Sequence, residues 1–265
     1  MTIAGSDPGG GAGLQADLKT FAAHRVYGFS VITAVIAQNS ARVTRVAPVG
    51  AAMVAEQIAT LVAERIPDAF KTGALGNAEL VRMIAQAIRD FKLPAPVVDP
   101  VLISTSGARL LDGDGESALR SLLLPLARVI TPNIPEAETL TGLAIDGPAA
   151  MRAAARALRK MGARAVVIKG GHPFARRKDD ANESRAVDLL YDGRSFIEFA
   201  ARRIAGGGAH GTGCAFSAAV TARLARGEDL EAAVCGAKTF VTRALRARFV
   251  LGEHGRPLLD HFAGR

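Results

Sequence analysis

Apolar positions along this 265-residue chain follow two alternating rhythms. Short runs such as VITAVIA at 31–37 and AVVIK at 165–169 read as strands. Longer stretches with an apolar residue at every third or fourth place read as amphipathic helices. The pattern predicts strands at 1–4, 31–37, 69–72, 97–99, 129–131 and 165–169. It predicts helices at 14–24, 51–65, 77–91, 116–124, 149–161, 214–226 and 230–249. Pro67, Gly73, Pro100, Pro132, Gly162 and Gly227 each punctuate the end of an element, and Asn77 is placed to cap one. VITAVIA, an unbroken and largely β-branched run, is expected as one strand buried on both faces. Residues 186–199 read as a hairpin turning at Asp192-Gly193.

Strands alternating with helices of this length predict an α/β fold with a mostly parallel sheet covered on both faces. The late hairpin adds an antiparallel edge. No internal repeat or linker interrupts the pattern, so 1–265 reads as a single domain. In such a sheet, ligands bind beyond the C-terminal ends of the strands. The polar groups at those ends are Asp7 with the first glycine loop, Gln38-Asn39, Lys71-Thr72, Asp99, Asn133 with Glu136, and Lys169-Gly170-Gly171. One shared crevice is the simplest account of them all.

Composition narrows the partners. The net charge is +8, but the basic residues are scattered, and the only charged run, 174–185 (FARRKDDANESR), mixes both signs. Trp is absent and aromatics make up 5%, so no stacking platform for nucleic acid is expected. Two cysteines, Cys214 and Cys235, make no disulfide scaffold, and no CxxC or HExxH is present. No apolar run approaches the ~18 residues of a membrane span, and no signal peptide is seen, so a cytoplasmic protein is expected. The sequence opens at Met1 already inside a strand pattern, which fits a few further residues upstream.

The chemistry concentrates in residues 206–220, GGGAHGTGCAFSAAV. A helix N-terminus leaves N–H groups unpaired and carries partial positive charge, and glycines let an anion come close. Gly206, Gly208 and Gly211 fit GxGxxG, yet no buried strand precedes them and Glu231 starts a helix, so this is not a dinucleotide fingerprint. Gly-Lys never occurs, which excludes a Walker A loop. Cys214, at the helix start, is expected to have its thiol pKa lowered by the helix dipole and to serve as a base or polariser, or else to be a small residue that fits the turn. Cys235 reads as a buried helix residue. Asn133-Ile134-Pro135-Glu136 suits a helix start, and equally a carboxylate holding Mg²⁺ through water. Lys169, ending an apolar strand, suits a phosphate contact. Gln15, Asp17 and Gln38 are the candidates for reading a polar heterocycle.

Taken together, IAGSDPGGGAGLQADLKTF, VITAVIAQNS, KTGALGN, VVDPVLISTSGARLL, ITPNIPEAETLTG, VVIKGGH, AVDLLYDG and HGTGCAFSAAV resemble the hydroxymethylpyrimidine/phosphomethylpyrimidine kinases of thiamine biosynthesis. These belong to the ribokinase-like superfamily. The resemblance runs from Thr2 to about Phe262. It implies a three-layer α/β/α ribokinase-like domain, usually a homodimer. Such an enzyme uses ATP and Mg²⁺ to phosphorylate 4-amino-5-hydroxymethyl-2-methylpyrimidine, and then the monophosphate to the diphosphate. By the same resemblance, Gln38 and Asp17, near Gly5, hold the pyrimidine. Asn133 and Glu136 organise Mg²⁺ and phosphate, Asp99 joins Glu136 as a metal residue, and Lys169 meets the transferred phosphate. Lys238 contacts the nucleotide. Gly211, Thr212 and Gly213 form the anion hole, and Cys214 replaces the aspartate base of sugar kinases.

Two segments depart from the family pattern. Gly206-Gly207-Gly208-Ala209 stands where a Thr-Asn-Thr-like stretch is usual, so a more mobile loop is expected, and the glycine-rich C-terminal motif is altered over 252–257. The alternatives are a pyridoxal kinase of the same branch and a non-catalytic pyrimidine-binding regulator. Gln38 argues against the first, because branch members specialised for pyridoxal tend to have an apolar residue there. The intact NxPE, Lys169 and GTGC argue against the second.

Overall fold

A computed structural model describes residues 1–104, 107–171, 185–253 and 255–264. The charged run at 174–185 lies outside them, apart from Arg185. In chain order the elements are β1 (Thr2–Ala4), α1 (Gly13–Ala23), β2 (Ser30–Ile32), β3 (Ala34–Gln38), β4 (Val43–Pro48), α2 (Ala51–Glu64), β5 (Lys71–Thr72) and α3 (Ala78–Asp90). Then follow β6 (Val97–Val98), α4 (Gly113–Ala118), β7 (Val129–Ile130), α5 (Ile134–Thr141), α6 (Pro148–Lys160), β8 (Val166–Ile168), β9 (Arg185–Tyr191), β10 (Phe196–Arg202), α7 (Thr212–Ala225) and α8 (Leu230–Arg246).

Among the described residues, eight strands form one sheet in the order β10-β9-β8-β7-β6-β5-β1-β2. The strands from β8 to β2 in that order run parallel. The hairpin β9–β10 closes one edge antiparallel, as its sequence predicts. Successive strand residues point to opposite faces. Val98, Ile130, Val166 and Ile168 join the core under α2 to α6, while Val97, Val129 and Val167 join the core under α7 and α8. The result is a three-layer α/β/α arrangement. At the opposite edge, β2 is protected by the Gln57 side chain, which bonds both the N–H (2.9 Å) and the C=O (3.2 Å) of Ile32.

VITAVIA is not one strand. Val31 and Ile32 belong to the central sheet, and the chain leaves it at Thr33, whose hydroxyl donates to the Ala74 carbonyl at 2.6 Å. From Ala34 it pairs antiparallel with β4, a strand the sequence pattern missed, in a separate two-stranded ribbon. Ala34 and Ile36 are buried while Val35 and Ala37 are exposed. The period of two was invisible because the outward positions are apolar as well. The helix expected over 116–124 begins at Gly113, capped by the Asp112 side chain, and is α-helical only to Ala118. Two further helix ends also differ from expectation. The last helix stops at Arg246 because the chain then turns to pair Phe249 with Leu258. Helix α7 starts two residues early, after Gly211 at φ 81°, so Cys214 is its third residue.

Candidate active site

A cavity of about 1240 Å³ opens at the C-terminal ends of the parallel strands. Gly5, Asp17, Gln38, Asp99, Asn133, Glu136, Lys169, Gly211, Thr212, Gly213, Cys214 and Lys238 all line it. Asp7 and Asn39 do not; they line a smaller neighbouring cavity of about 290 Å³. Gln15 is also turned away, its amide oxygen accepting the Asp7 backbone N–H at 2.7 Å.

One wall is built by the first βα unit and the ribbon. The buried face of α1 carries Leu14, Asp17 and Phe21, spaced for one helical face. Asp17 is thereby driven inward against β5. Its carboxylate accepts from Lys71 Nζ at 2.8 Å and from the Thr2 hydroxyl at 2.6 Å, and both ionic side chains are 0% exposed. Burial pushes the Asp17 carboxyl up and Lys71 pulls it back; the Lys71 ammonium, penalised by the same burial, is held above its ordinary range by Asp17. Gln38 ends β3 on the inward face shared with Ile36. The ribbon approaches so closely that a Cβ on Gly5 would stand 3.0 Å from Ile36 Cδ1.

The opposite wall carries a second ion pair. Lys169, just beyond β8, donates to Asp99 Oδ1 at 2.9 Å. Ser217 donates to Asp99 Oδ2 at 3.1 Å, and the Thr131 hydroxyl lies 3.3 Å from Oδ1. Burial works against the charge on Asp99, but Lys169 and then Lys71 hold its pKa below the ordinary value. Asn133 and Glu136 form a reciprocal cap on α5, each side chain accepting the other's backbone N–H at 2.8 Å. Burial raises the Glu136 carboxyl to about 7, with Lys169 opposing the rise and Asp99 adding to it. Lys238 pairs with Asp188 at 2.9 Å, and Asp188 also accepts the Gly170 N–H at 2.9 Å.

Between the walls, α7 begins at Gly211, whose backbone is packed against the Gly11 carbonyl so tightly that a Cβ would collide with it. A Cβ on Gly213 would stand 3.0 Å from Lys169 Nζ. The Gly13 backbone N–H, at the start of α1, and the ammonium of Lys71 both act to lower the Cys214 thiol pKa. The thiol is nevertheless not a ready thiolate. Burial pushes it up to about 12, against the pull of Lys71, and overturns the expectation of a lowered pKa. Cys235, expected to be buried, is exposed on α8, because the helix turns Val234 and Ala237 to the core instead.

The sequence reading assigned no role to His210. Its Nε2 lies 2.9 Å from Asp7 Oδ2, and Asp7 also accepts the backbone N–H groups of Gly9, Gly11 and Ala12. The pair stitches the first glycine loop to the second, 203 residues away. Lys71 was legible only as a strand-end residue, and Ser217 and Asp188 gave no signal, since a helix interior and a strand interior do not mark chemistry. Among the described residues no group of three or more His, Cys, Asp or Glu gathers as a self-sufficient metal site. No described helix is long and apolar enough to cross a membrane.

A family model described as phosphomethylpyrimidine kinase matches residues 7–259. The chain belongs to that family. Like this phosphomethylpyrimidine kinase family member, a hydroxymethylpyrimidine/phosphomethylpyrimidine kinase of Haemophilus influenzae aligns along nearly its whole length. It is 46% identical over 263 residues, covering 99% of this chain and 96% of that one. The chain spans about half (51%) of a bifunctional thiamine biosynthesis protein of Geobacter sulfurreducens, at 44% identity. Among solved structures, the pyridoxal kinase of Staphylococcus aureus in complex with AMP-PCP and pyridoxal superposes with TM-score 0.88 at 34% identity, covering 99% of this chain and 93% of that one. A phosphomethylpyrimidine kinase of Clostridium difficile gives TM-score 0.79 at 37% identity, covering 92% and 97%. The fold is thus the ribokinase-like one.

Proposed function

We propose that the chain, acting as one domain, catalyses ATP-dependent phosphorylation of 4-amino-5-hydroxymethyl-2-methylpyrimidine and then of its monophosphate to the diphosphate. The observation that carries this reading is that one cavity holds two different sets of groups. Gly5 and Gln38 offer backbone and amide to an aminopyrimidine edge, while Asp17, expected there as well, is sealed behind them with 0% exposure. Lys169, the α7 N-terminus and the Asn133–Glu136 cap offer charge to phosphates. Phosphoryl transfer asks mainly for positioning and charge stabilisation, and this second set supplies both.

Lys169 is the group to meet the transferred phosphoryl, with the N–H groups after Gly211 as the anion hole. Cys214 receives or polarises the hydroxyl proton of the pyrimidine. Its raised pKa means that it does so only when the anion hole and Lys71 share the developing charge. Lys238 and the apolar side chains of Val241 and Leu245 offer the nucleotide its contacts. The residues fit Mg²⁺, which takes one or two carboxylates together with substrate phosphates. Glu136 is the better placed, since both oxygens of Asp99 already serve Lys169, Thr131 and Ser217. Glu136 would hold the ion, which would supply positive charge to offset that of the phosphates. Assembly as a homodimer and a cytoplasmic location belong to the same reading, with no nucleic-acid partner, and rest on family resemblance.

A pyridoxal kinase is the second reading, favoured by the likeness to the Staphylococcus aureus enzyme. Hydroxymethylpyrimidine, its monophosphate and pyridoxal, each assayed with ATP and with product masses recorded, separate the two. Diphosphate from the pyrimidines with weak pyridoxal turnover is expected. Turnover of pyridoxal alone moves the protein to the second reading, and pyrimidine binding without turnover makes it a regulator.

A further inference from the structure

Ser217 lies one turn after Cys214 in the interior of α7 and has no exposed surface. Its hydroxyl carries one proton and meets two acceptors, Asp99 Oδ2 at 3.1 Å and the Cys214 carbonyl at 3.0 Å. Neither distance is the roughly 2.7–2.8 Å of a committed hydroxyl bond, which fits one proton shared between two oxygens. The other Asp99 oxygen, Oδ1, takes Lys169 at 2.9 Å and has the Thr131 hydroxyl at 3.3 Å. That hydroxyl is shared too, with the Val98 carbonyl at 3.5 Å. When Lys169 turns to a phosphate, Asp99 is left charged in a place where it is almost wholly buried, and Ser217 is the donor able to commit to it. The turn required is short. Lys169 Nζ already stands beside the first turn of α7, where a Cβ on Gly213 would come to 3.0 Å from it.

We propose that Ser217 is a positioning residue for the transfer step: its hydroxyl lets go of the Cys214 carbonyl and closes on Asp99 as Lys169 leaves for the phosphate. This rests on the proposed kinase reading, in which Lys169 meets the transferred phosphoryl. No covalent bond is made or broken at Ser217. A hydrogen bond passes from a neutral acceptor to a charged one, and bonds to charged groups are the stronger. The loss of the cation is thereby partly offset inside the protein, which leaves Lys169 free to follow the charge of the phosphate. The same movement releases a carbonyl in the turn that carries Cys214, so lysine release and the start of α7 are linked through one side chain. Ser217 itself does not line the cavity and acts only through Asp99 and Lys169.

The test is a double-mutant cycle of wild type, Ser217→Ala, Lys169→Met and the double variant, with kcat, pyrimidine affinity and urea midpoint measured for each. Ser217→Ala is expected to lower kcat by about tenfold or more, with pyrimidine affinity within about threefold of wild type. On the Lys169→Met background the same change is expected to alter kcat by less than about twofold, since no lysine remains to be released. Stability is expected to couple with the opposite sign. Lys169→Met imitates the state in which the lysine has left, so Ser217→Ala should shift the urea midpoint about twice as far there, or more, as it does in wild type. The cycle is repeated with Ser217→Cys, which keeps the volume but donates weakly, so that a folding failure of one double variant leaves the other measurable. Cys is expected to fall with Ala rather than with wild type. A packing role for Ser217 gives the same change on both backgrounds and leaves Cys close to wild type, and either result overturns the proposal. If wild type phosphorylates neither the pyrimidine nor pyridoxal, the kinase reading has failed. The urea midpoints still decide whether Asp99 relies on Ser217 once the lysine is gone, and additive midpoints overturn the proposal on their own.

Discussion

The site contains two lysine–carboxylate pairs of nearly equal length, 2.8 Å for Lys71–Asp17 and 2.9 Å for Lys169–Asp99, and they do opposite things. The first is sealed, with 0% exposure on both sides. The second is open on the lysine side, where Lys169 is 13% exposed, feels a second carboxylate in Glu136 and has only a glycine between it and the start of α7. A sealed pair holds its geometry and ties the first helix to the sheet. An open pair with competing partners can lend its cation to an incoming anion, because Asp99 keeps Ser217 and Thr131 when the lysine moves. Burial and the third partner, rather than distance, separate a structural pair from one free to do chemistry.

The comparison breaks most visibly at Lys169. Lys169→Met is expected to lower kcat by roughly 10²–10³ while pyrimidine affinity stays within about threefold. Single-turnover kinetics with parallel calorimetry check this, and a kcat within tenfold of wild type removes Lys169 from the phosphate's path. The stability effects should run the other way. Lys71→Met leaves a buried carboxylate uncompensated and is expected to reduce unfolding free energy by about 3–5 kcal/mol, with a smaller loss for Lys169→Met. Urea titrations of the two variants decide it; equal losses would falsify the distinction between sealed and open pairs.

Cys214 lies between the pairs and sharpens the contrast. Cys214→Ala is expected to slow phosphorylation of the hydroxymethyl group by roughly 10²-fold and to affect the second phosphorylation less, because a phosphate acceptor is already ionised. Near-normal turnover in the first step excludes a proton-handling role. The smallest effect lies outside both pairs and serves as their control. Burial lowers His261 to about 4 and lowers His24 as well. Each folded pKa lies below its unfolded value, so the unfolded state takes up protons first, and stability is lost as pH falls below about 6.5. Between pH 7 and pH 5.5 a loss of about 1 kcal/mol is expected from His261, and His261→Gln should flatten that part of the urea-midpoint profile. An unchanged slope assigns the acid sensitivity elsewhere.

Much of this was legible in the sequence for local reasons. Buried parallel strands are continuous apolar runs, so VV at 97–98 and AVVIK at 165–169 identified themselves. Asn77 and Asn133 cap their helices through their own side chains, which needs no tertiary context. Local patterns failed where the outcome depended on a distant surface. VITAVIA divides between two sheets because only Val31 and Ile32 find a partner in β1. Cys235 was misplaced because a small-residue helix such as AAVCGAK does not declare its buried face, which Val234 and Ala237 take.

The sequence by itself determined the α/β class, the strand ends as the place of chemistry, and part of the cavity lining, though not the places of Asp7, Gln15 and Asn39, because periodicity and helix-start motifs are properties of neighbouring residues. Only the tertiary structure decided which charges meet. Lys71 finds Asp17 across 54 positions, Lys169 finds Asp99 across 70, and His210 finds Asp7 across 203. The tertiary structure also decided that the helix N-terminus does not leave Cys214 ionised. Desolvation and charge pairing depend on what surrounds a group in space, and that is set only when the layers close over the sheet.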